Sequence, residues 1–390
     1  MNIIIIDHEP FTLNKKDHYF MNEFLLDGIQ VDYWSVCEAV PYSKNVTFPN
    51  KVKGKNIVYI DSYKELLEKI KKIDPTTLVF LEVWFTWSTL ELFQLLKKRN
   101  IRFVQIDYYL NLVTAFSSYS RKEKFVNDFS FTNLMKWGIN LFNSKCLEFL
   151  ARKTQLNKKS ILFLTGGAIQ YFHPQVYKKS ISYFDVEAFE KIKSNPRLIA
   201  EKYVTFLDIL LPAHPDLQRI KVSTLSSACY YEKMRNFFDE IEEKTGYQVV
   251  IASHPKANYK NNEFGSRSCI HGKTAELVKD SEFVITHGSL SINFALLAQK
   301  PLLYIYSDEF INSKNYLSVL YQRMKNAADF FKAKIINIDS YEKDTLNGLQ
   351  FDFQSYQAYL NQYVLATAYP KGNYEIIKES LSKLDEGVYE

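Results

Sequence analysis

The chain begins with a run of four isoleucines, Asn2 to Asp7 ("NIIIID"), halted by an acid and a polar loop. An unbroken apolar run this short predicts a strand buried on both faces, as strands are in a parallel sheet. Similar runs follow as "IQVDYWSV", "NIVYI", "TLVFLEVW" and "IRFVQIDYY". Between them, "SYKELLEKIKKI" and "STLELFQLLKKRN" place apolar residues at helical spacing. A basic helical region over 120–159 comes next, and "SILFLTGGA" reads as the last strand of this series. Strands alternating with helices predict an α/β fold on a parallel sheet.

A second series starts near Lys202. "KYVTFLDILL", "YQVVIASHP", "EFVITHG", "KPLLYIYS" and "AKIINI" read as strands. "YYEKMRNFFDEIEEKTG", closed by Gly246, together with "KTAELVKDS" and "SLSINFALLAQ", reads as helix. The stretch 356–384 is helical and Tyr-rich. A chain of 390 residues exceeds what one core usually organises. Two Rossmann-like domains are therefore expected, at about 1–185 and 190–350, with helices of 351–390 packing back on the first.

Composition narrows the class. Hydrophobic residues at 46% and charged residues at 24% describe a packed globular chain, not a disordered one. A net charge of +5 without a dense Lys/Arg block leaves out nucleic acid as a partner. Cys37, Cys146, Cys229 and Cys269 lack CxxC spacing and read as reduced core thiols. The start has no basic leader and no stretch reaches about 20 apolar residues, so a cytoplasmic protein is expected. Lys136, Lys145, Arg152 and Lys153 within 121–159 fit either a helix on its own domain or a peripheral helix on the inner face of an anionic membrane.

In open α/β sheets ligands bind outside the carboxyl ends of the strands. His254, His287 and Asp208 all fall at such ends in the second series, and each precedes a polar loop. Gly288, Ser289 and Ser291 open the helix after His287, where free amides and hydroxyls favour an anion; the plain alternative for Ser289 is an N-cap. His254, Pro255 and Lys256 form a second basic corner. The "TGGA" of Thr165 to Ala168 reads as a simple turn.

"IASHPKANY" and "VKDSEFVITHGSLSINFALLAQKPLLYIY" resemble the second domain of GT-B glycosyltransferases that build bacterial surface polysaccharides, nearest to the CMP-sugar sialyltransferases and Kdo transferases. The likeness covers about 200–307 and departs from it in Lys256 and in the Thr-His-Gly-Ser run. It implies two domains facing a cleft, with His254, Pro255, Ser289 and Ser291 at the donor's nucleotide phosphates. It also implies a nucleotide-sugar donor, CMP-linked and acidic, with an oligosaccharide or lipid-linked glycan of lipopolysaccharide or capsule as acceptor. No cofactor is expected, and no metal, since "DVE" at Asp185 to Glu187 is a weak Asp-x-Asp.

A transferase of this kind needs a general base. Candidates are Asp7, His8 and Glu9 after the first strand, and Asp208, His214 and Asp216 in "DILLPAHPD". Glu82 and Asp107, also at strand ends, are assigned to the acceptor. A UDP-sugar transferase, a CDP-glycerol-type phosphotransferase, a sugar-nucleotide 2-epimerase and a non-catalytic nucleotide- or glycan-binding protein remain the alternatives.

Overall fold

The computed structural model describes residues 2–42, 52–108, 116, 160–168, 177–213, 226–259, 262–313, 316–341 and 346–385, with parts of a helical stretch between 143 and 154. The first sheet contains β1 (Asn2–Asp7), β2 (Gln30–Ser35), β3 (Ile57–Tyr59), β4 (Leu78–Glu82), β5 (Phe103–Asp107), β6 (Ser160–Gly166) and β7 (Tyr177–Ile181). Their order is β3-β2-β1-β4-β5-β6-β7, and every neighbouring pair is parallel. The second contains β8 (Tyr203–Leu207), β9 (Gln248–Ser253), β10 (Cys269–His271), β11 (Val284–Thr286), β12 (Leu302–Tyr306) and β13 (Lys334–Asn337), in the order β10-β9-β8-β11-β12-β13. It too is parallel throughout. The protein thus has two Rossmann-like α/β sheets.

In each sheet the chain runs outward over three strands and then returns to the far side of the first. The reversal splays the loops apart and opens a crevice, between the ends of β1 and β4 in one sheet and of β8 and β11 in the other. The isoleucines of β1 set this geometry. Ile4 and Ile6 pack among Leu66, Ile70, Leu92 and Leu96, while Ile3 and Ile5 are buried on the opposite face. Truncating one of them, Ile6→Ala for example, costs about 2–5 kcal/mol through lost transfer energy and the cavity left behind.

The chain divides into two compact units. One holds the first sheet and the final helix Asn373–Asp385; the other holds the described residues from Ser182 to Leu365. These limits differ from the expected 185–190 and 350, because the backbone of Tyr183 bonds Val364 and the helix Phe353–Tyr359 sits with the second sheet. In the first unit the final helix is fixed by Tyr374, whose hydroxyl donates to Asp27 Oδ2 at 2.7 Å and whose ring meets Phe24 at 5.0 Å.

Several elements depart from the sequence reading. β6 is not the last strand of its sheet: β7, "YKKSI", pairs beside it, its apolar pattern broken by Lys178 and Lys179. β10 is a three-residue edge strand, too short for an apolar run to register. The helices Phe184–Ile192 and Tyr316–Phe331 were also unanticipated. All four cysteines are free as expected, but of them Cys37 is buried, Cys146 and Cys269 are half-buried and Cys229 is exposed. Most of 120–159 lies outside the described residues, and with it the choice between a helix on its own domain and a peripheral membrane helix. Among the described residues no helix is long and apolar enough to cross a membrane.

Candidate functional site

A cavity of about 580 Å³ opens at the β1/β4 crevice. The parallel register sets Asp7 opposite Glu82, so two carboxyls stand side by side at adjacent strand ends. His8 and Glu9 follow β1, Trp84 follows β4 and Asp107 ends β5; all but Asp7 line the cavity. Lys15 and His18 reach it from the helix Leu13–His18, whose start is capped by Thr12 accepting from the Lys15 amide. Across the floor, Gly166 lets β6 pass the backbone of Tyr108, where a Cβ would stand 2.8 Å from a carbonyl oxygen.

Each acid is held differently. Asp7 is fully buried; its Oδ1 accepts from the Glu9 amide at 2.9 Å and its Oδ2 from the Tyr19 hydroxyl at 2.8 Å. Lys15 Nζ lies 2.9 Å from both Asp7 Oδ2 and Glu9 Oε2. Burial is the largest single influence on Asp7 and opposes its charge, but Lys15, His8 and the Tyr19 hydroxyl together hold the carboxyl below its usual range. The ammonium of Lys15, opposed by burial in turn, is held up by Asp7 and Glu9. Lys15 makes its close ion pairs with Asp7 and Glu9, and offsets the burial of Glu82 only in part. Burial, reinforced by the negative charge of Asp7, pushes it up to about 8 despite the Ile106 amide donating to Oε1 at 2.9 Å. At neutral pH Asp7 is ionised and Glu82 carries a proton.

Two histidines complete the wall. His8 Nδ1 stands 2.5 Å from the Glu82 carbonyl, an acceptor, so Nδ1 bears the proton and a neutral ring keeps its lone pair on Nε2. Burial, aided by Lys15, lowers His18 to about 4 and keeps it neutral.

In the second unit the loops after β8 and β9 are tied by Asp208. Its Oδ1 accepts from the Leu210 amide at 2.7 Å, and its Oδ2 accepts from the His254 amide at 3.0 Å and the Tyr259 hydroxyl at 2.5 Å. Burial raises Asp208 despite these bonds. With both oxygens committed and the residue 5% exposed, Asp208 clasps the His-Pro loop and is not placed to take a proton from a substrate. His254 Nδ1 accepts from the Lys256 amide at 3.1 Å, which puts the proton of the neutral ring on Nε2. Pro255 and Lys256 are exposed beside it. His214 and Asp216 lie outside the described residues.

The loop after β11 differs from the sequence expectation. His287 is a core group: Nδ1 donates to the Ile305 carbonyl at 2.7 Å, Nε2 meets the Tyr230 hydroxyl at 3.1 Å, and Phe310 stacks on the ring. Burial lowers it to about 4. The amides of Gly288 and Ser289 both donate to Thr286 Oγ1 at 3.0 Å, and the Ser291 amide to Ser289 Oγ at 3.2 Å. Of the amides expected to be free here, those of Gly288, Ser289 and Ser291 are taken by threonine and serine side chains, and those of Ile292, Asn293 and Phe294 by the carbonyls of Ser289, Leu290 and Ser291. Gly288 is required by geometry, with φ +88° and Met324 Cγ 3.2 Å from where a Cβ would lie.

The structure thus gathers Glu9, Glu82 and Asp107 around one cavity with Asp7 beneath, groups Asp208 with His254, and draws His287 into the core. Lys15, His18, Trp84 and Tyr259 escaped the sequence reading. Lys15 is eight residues from Asp7 across a loop, a spacing with no periodic signal; Trp84 ends the run "TLVFLEVW" read as a strand, but lies two residues past the end of β4. Asp185, of the weak "DVE", is buried and accepts from Asn293 Nδ2 at 3.1 Å. Among the described residues no His, Cys, Asp or Glu cluster is arranged to hold a metal ion.

No protein-family model and no curated protein matches the chain. Solved structures that align along the chain include a UDP-GlcNAc 2-epimerase from Methanocaldococcus jannaschii, at 12% identity over 99% of this chain and 100% of that one, TM-score 0.49. The spinosyn forosaminyltransferase SpnP aligns at 13% identity over 100% of both chains, TM-score 0.46. MurG of Acinetobacter baumannii aligns at 10% identity over 98% and 100%, TM-score 0.45. The two-sheet fold rests on the strand order and register.

Proposed function

We propose that the protein transfers a glycosyl group from a nucleotide-sugar donor to a glycan acceptor, with the acceptor held in the β1/β4 cavity and the donor's phosphates at the His254 loop. The observation that carries this reading is the pair of groups in the cavity: a histidine whose basic Nε2 is set by the Glu82 carbonyl, beside a carboxyl kept protonated. In the transfer, the acceptor hydroxyl gives its proton to His8 Nε2 as its oxygen bonds the anomeric carbon. The bond from that carbon to the nucleotide phosphate breaks, and the phosphate leaves with the electron pair. The imidazolium so formed is steadied by Asp7, 3.8 Å from Nδ1. Glu82, protonated, donates a hydrogen bond to the acceptor. Asp7 and Glu9 serve as partners of Lys15 and not as the base.

At the donor, the Nε2 proton of His254 and the ammonium of Lys256 face the departing phosphate, with Asp208 fixing their loop. The transfer runs without a metal cofactor in this reading, in keeping with a sequence whose nearest Asp-x-Asp is the buried "DVE". Both a UDP-linked sugar and a CMP-linked acidic keto sugar suit these loops. Bacterial surface polysaccharide as product, a lipid-linked acceptor and contact of 121–159 with a membrane belong to the same proposal.

A panel of CMP-, UDP- and CDP-linked donors, followed by nucleotide release and by thermal shift with each free nucleotide, tests it. One donor class should be turned over and its nucleotide should raise the melting temperature. A panel with no release and no shift overturns the reading.

A further inference from the structure

We infer that the β1/β4 cavity takes an uncharged or amino-bearing sugar residue with its flat face on the indole of Trp84, and turns away a sugar acid. The inference rests on the reading of this cavity as the acceptor site and narrows its substrate class. The first observation is a rigid aromatic platform. Trp84 is 61% exposed yet fixed: its ring lies 4.8 Å from that of Tyr42 at 13°, its amide donates to the Tyr42 hydroxyl at 3.0 Å, and His8 closes in at 5.3 Å. An indole held in place while most of its surface meets water is poised for a ligand. The axial C–H groups of a sugar ring carry partial positive charge and suit the negative face of a π-system. An ammonium suits it further.

The second observation is charge. Four acids, Asp7, Glu9, Glu82 and Asp107, gather at or under the cavity. The lysine among the described lining residues, Lys15, already spans Asp7 and Glu9 at 2.9 Å each. His18, with its pKa lowered to about 4, adds no positive charge at neutral pH. A carboxylate entering here would lose its water and meet acids, with the ammonium already committed. Hydroxyls and amines instead find acceptors in the acids and a donor in protonated Glu82.

Saturation-transfer NMR on the full chain, with methyl β-galactoside, methyl glucosaminide and methyl galacturonide as probes, tests this. Nucleotide thermal shift is read in parallel. The galactoside and glucosaminide should bind and the galacturonide should not, and Trp84→Ala should weaken the first two by about 3- to 10-fold. Glu9→Gln, which releases one partner of Lys15, should admit the galacturonide. Galacturonide binding at least as tight as the galactoside's, or unchanged binding in Trp84→Ala, overturns the inference. Binding of no glycoside while a nucleotide still shifts the melting temperature overturns it and leaves the transferase reading intact. Absence of both effects brings down the two together.

Discussion

Asp7 and Glu82 stand opposite one another at the ends of β1 and β4, and their surroundings drive their carboxyls in opposite directions. The difference traces largely to where Lys15 makes its ion pairs, with His8 and Tyr19 adding to it at Asp7. Lys15 comes within 2.9 Å of Asp7, whereas Glu82 meets burial and the charge Asp7 retains. A side chain eight residues along the sequence therefore does much to settle which carboxyl is the anion and which is the acid.

This division predicts a pH profile. His8→Ala should lower turnover by roughly 100-fold or more at pH 7, the scale of removing a general base. Glu82→Gln keeps a donor and should lose less than about tenfold there, a carboxamide standing in for a neutral carboxyl. Wild-type rate should fall as pH rises through about 8, where Glu82 ionises, and Glu82→Gln should remove that limb. A Glu82→Gln enzyme with the wild-type alkaline fall would assign the limb elsewhere.

The clasp in the second unit is a separate case. Tyr259→Phe removes one bond to Asp208 and should cost about 1–2 kcal/mol of stability, while Asp208→Ala, freeing three donors, should cost on the order of 3 kcal/mol. Urea melts give these values. Nucleotide affinity should drop in both variants, since the His254 loop loses its anchor; unchanged affinity would show that the loop does not hold the donor.

What the sequence disclosed and what it hid follow from range of interaction. The isoleucines of β1, the apolar runs of β4 and β9 and Gly246 at its helix end are local patterns, and the alternation they make sufficed for two parallel sheets. β7 was missed because its lysines break the apolar run, and its membership depends on pairing with β6. The end of a strand was a sound guide to position: Glu82 and Asp107 do line the cavity, and His254 sits beside Asp208. It was no guide to orientation. His287 and His254 occupy equivalent places, yet one ring turns inward to Ile305 and Tyr230 and the other stays half-buried beside an exposed Pro255 and Lys256. Partners distant in sequence settle that choice, and a single sequence does not reveal them.

The inward turn of His287 predicts acid sensitivity. Its pKa is lowered by burial from about 6.5 unfolded to about 4 folded, so in this window the unfolded state binds the extra proton. Stability from this group is complete above pH 6.5 and is lost as pH falls toward 4, by roughly 3 kcal/mol. His18 acts in the same sense, and Glu82, raised, acts oppositely above about pH 4.5. Comparing wild type with His287→Gln between pH 4 and 7 isolates the term, because the other groups cancel in the difference. A stability difference independent of pH would place the ring's proton elsewhere.

The donor loop gives the last prediction. In the neutral ring of His254 the proton sits on Nε2, because Nδ1 accepts from the Lys256 amide, and the loop is tied down by Asp208. If that proton meets the leaving phosphate, His254→Ala should weaken nucleotide binding by about 1.5–3 kcal/mol, the range for a hydrogen bond to a charged group. Ser289→Ala should do less, because Ser289 Oγ already accepts from the Ser291 amide. Transfer should also persist in EDTA, since the phosphate's charge is met by side chains. Titration calorimetry with CMP and UDP, and an assay with and without chelator, check both points. Full loss on chelation restored by Mg²⁺ or Mn²⁺ would hand the phosphate's charge to a cation, and the His254 variant would then show a correspondingly small defect.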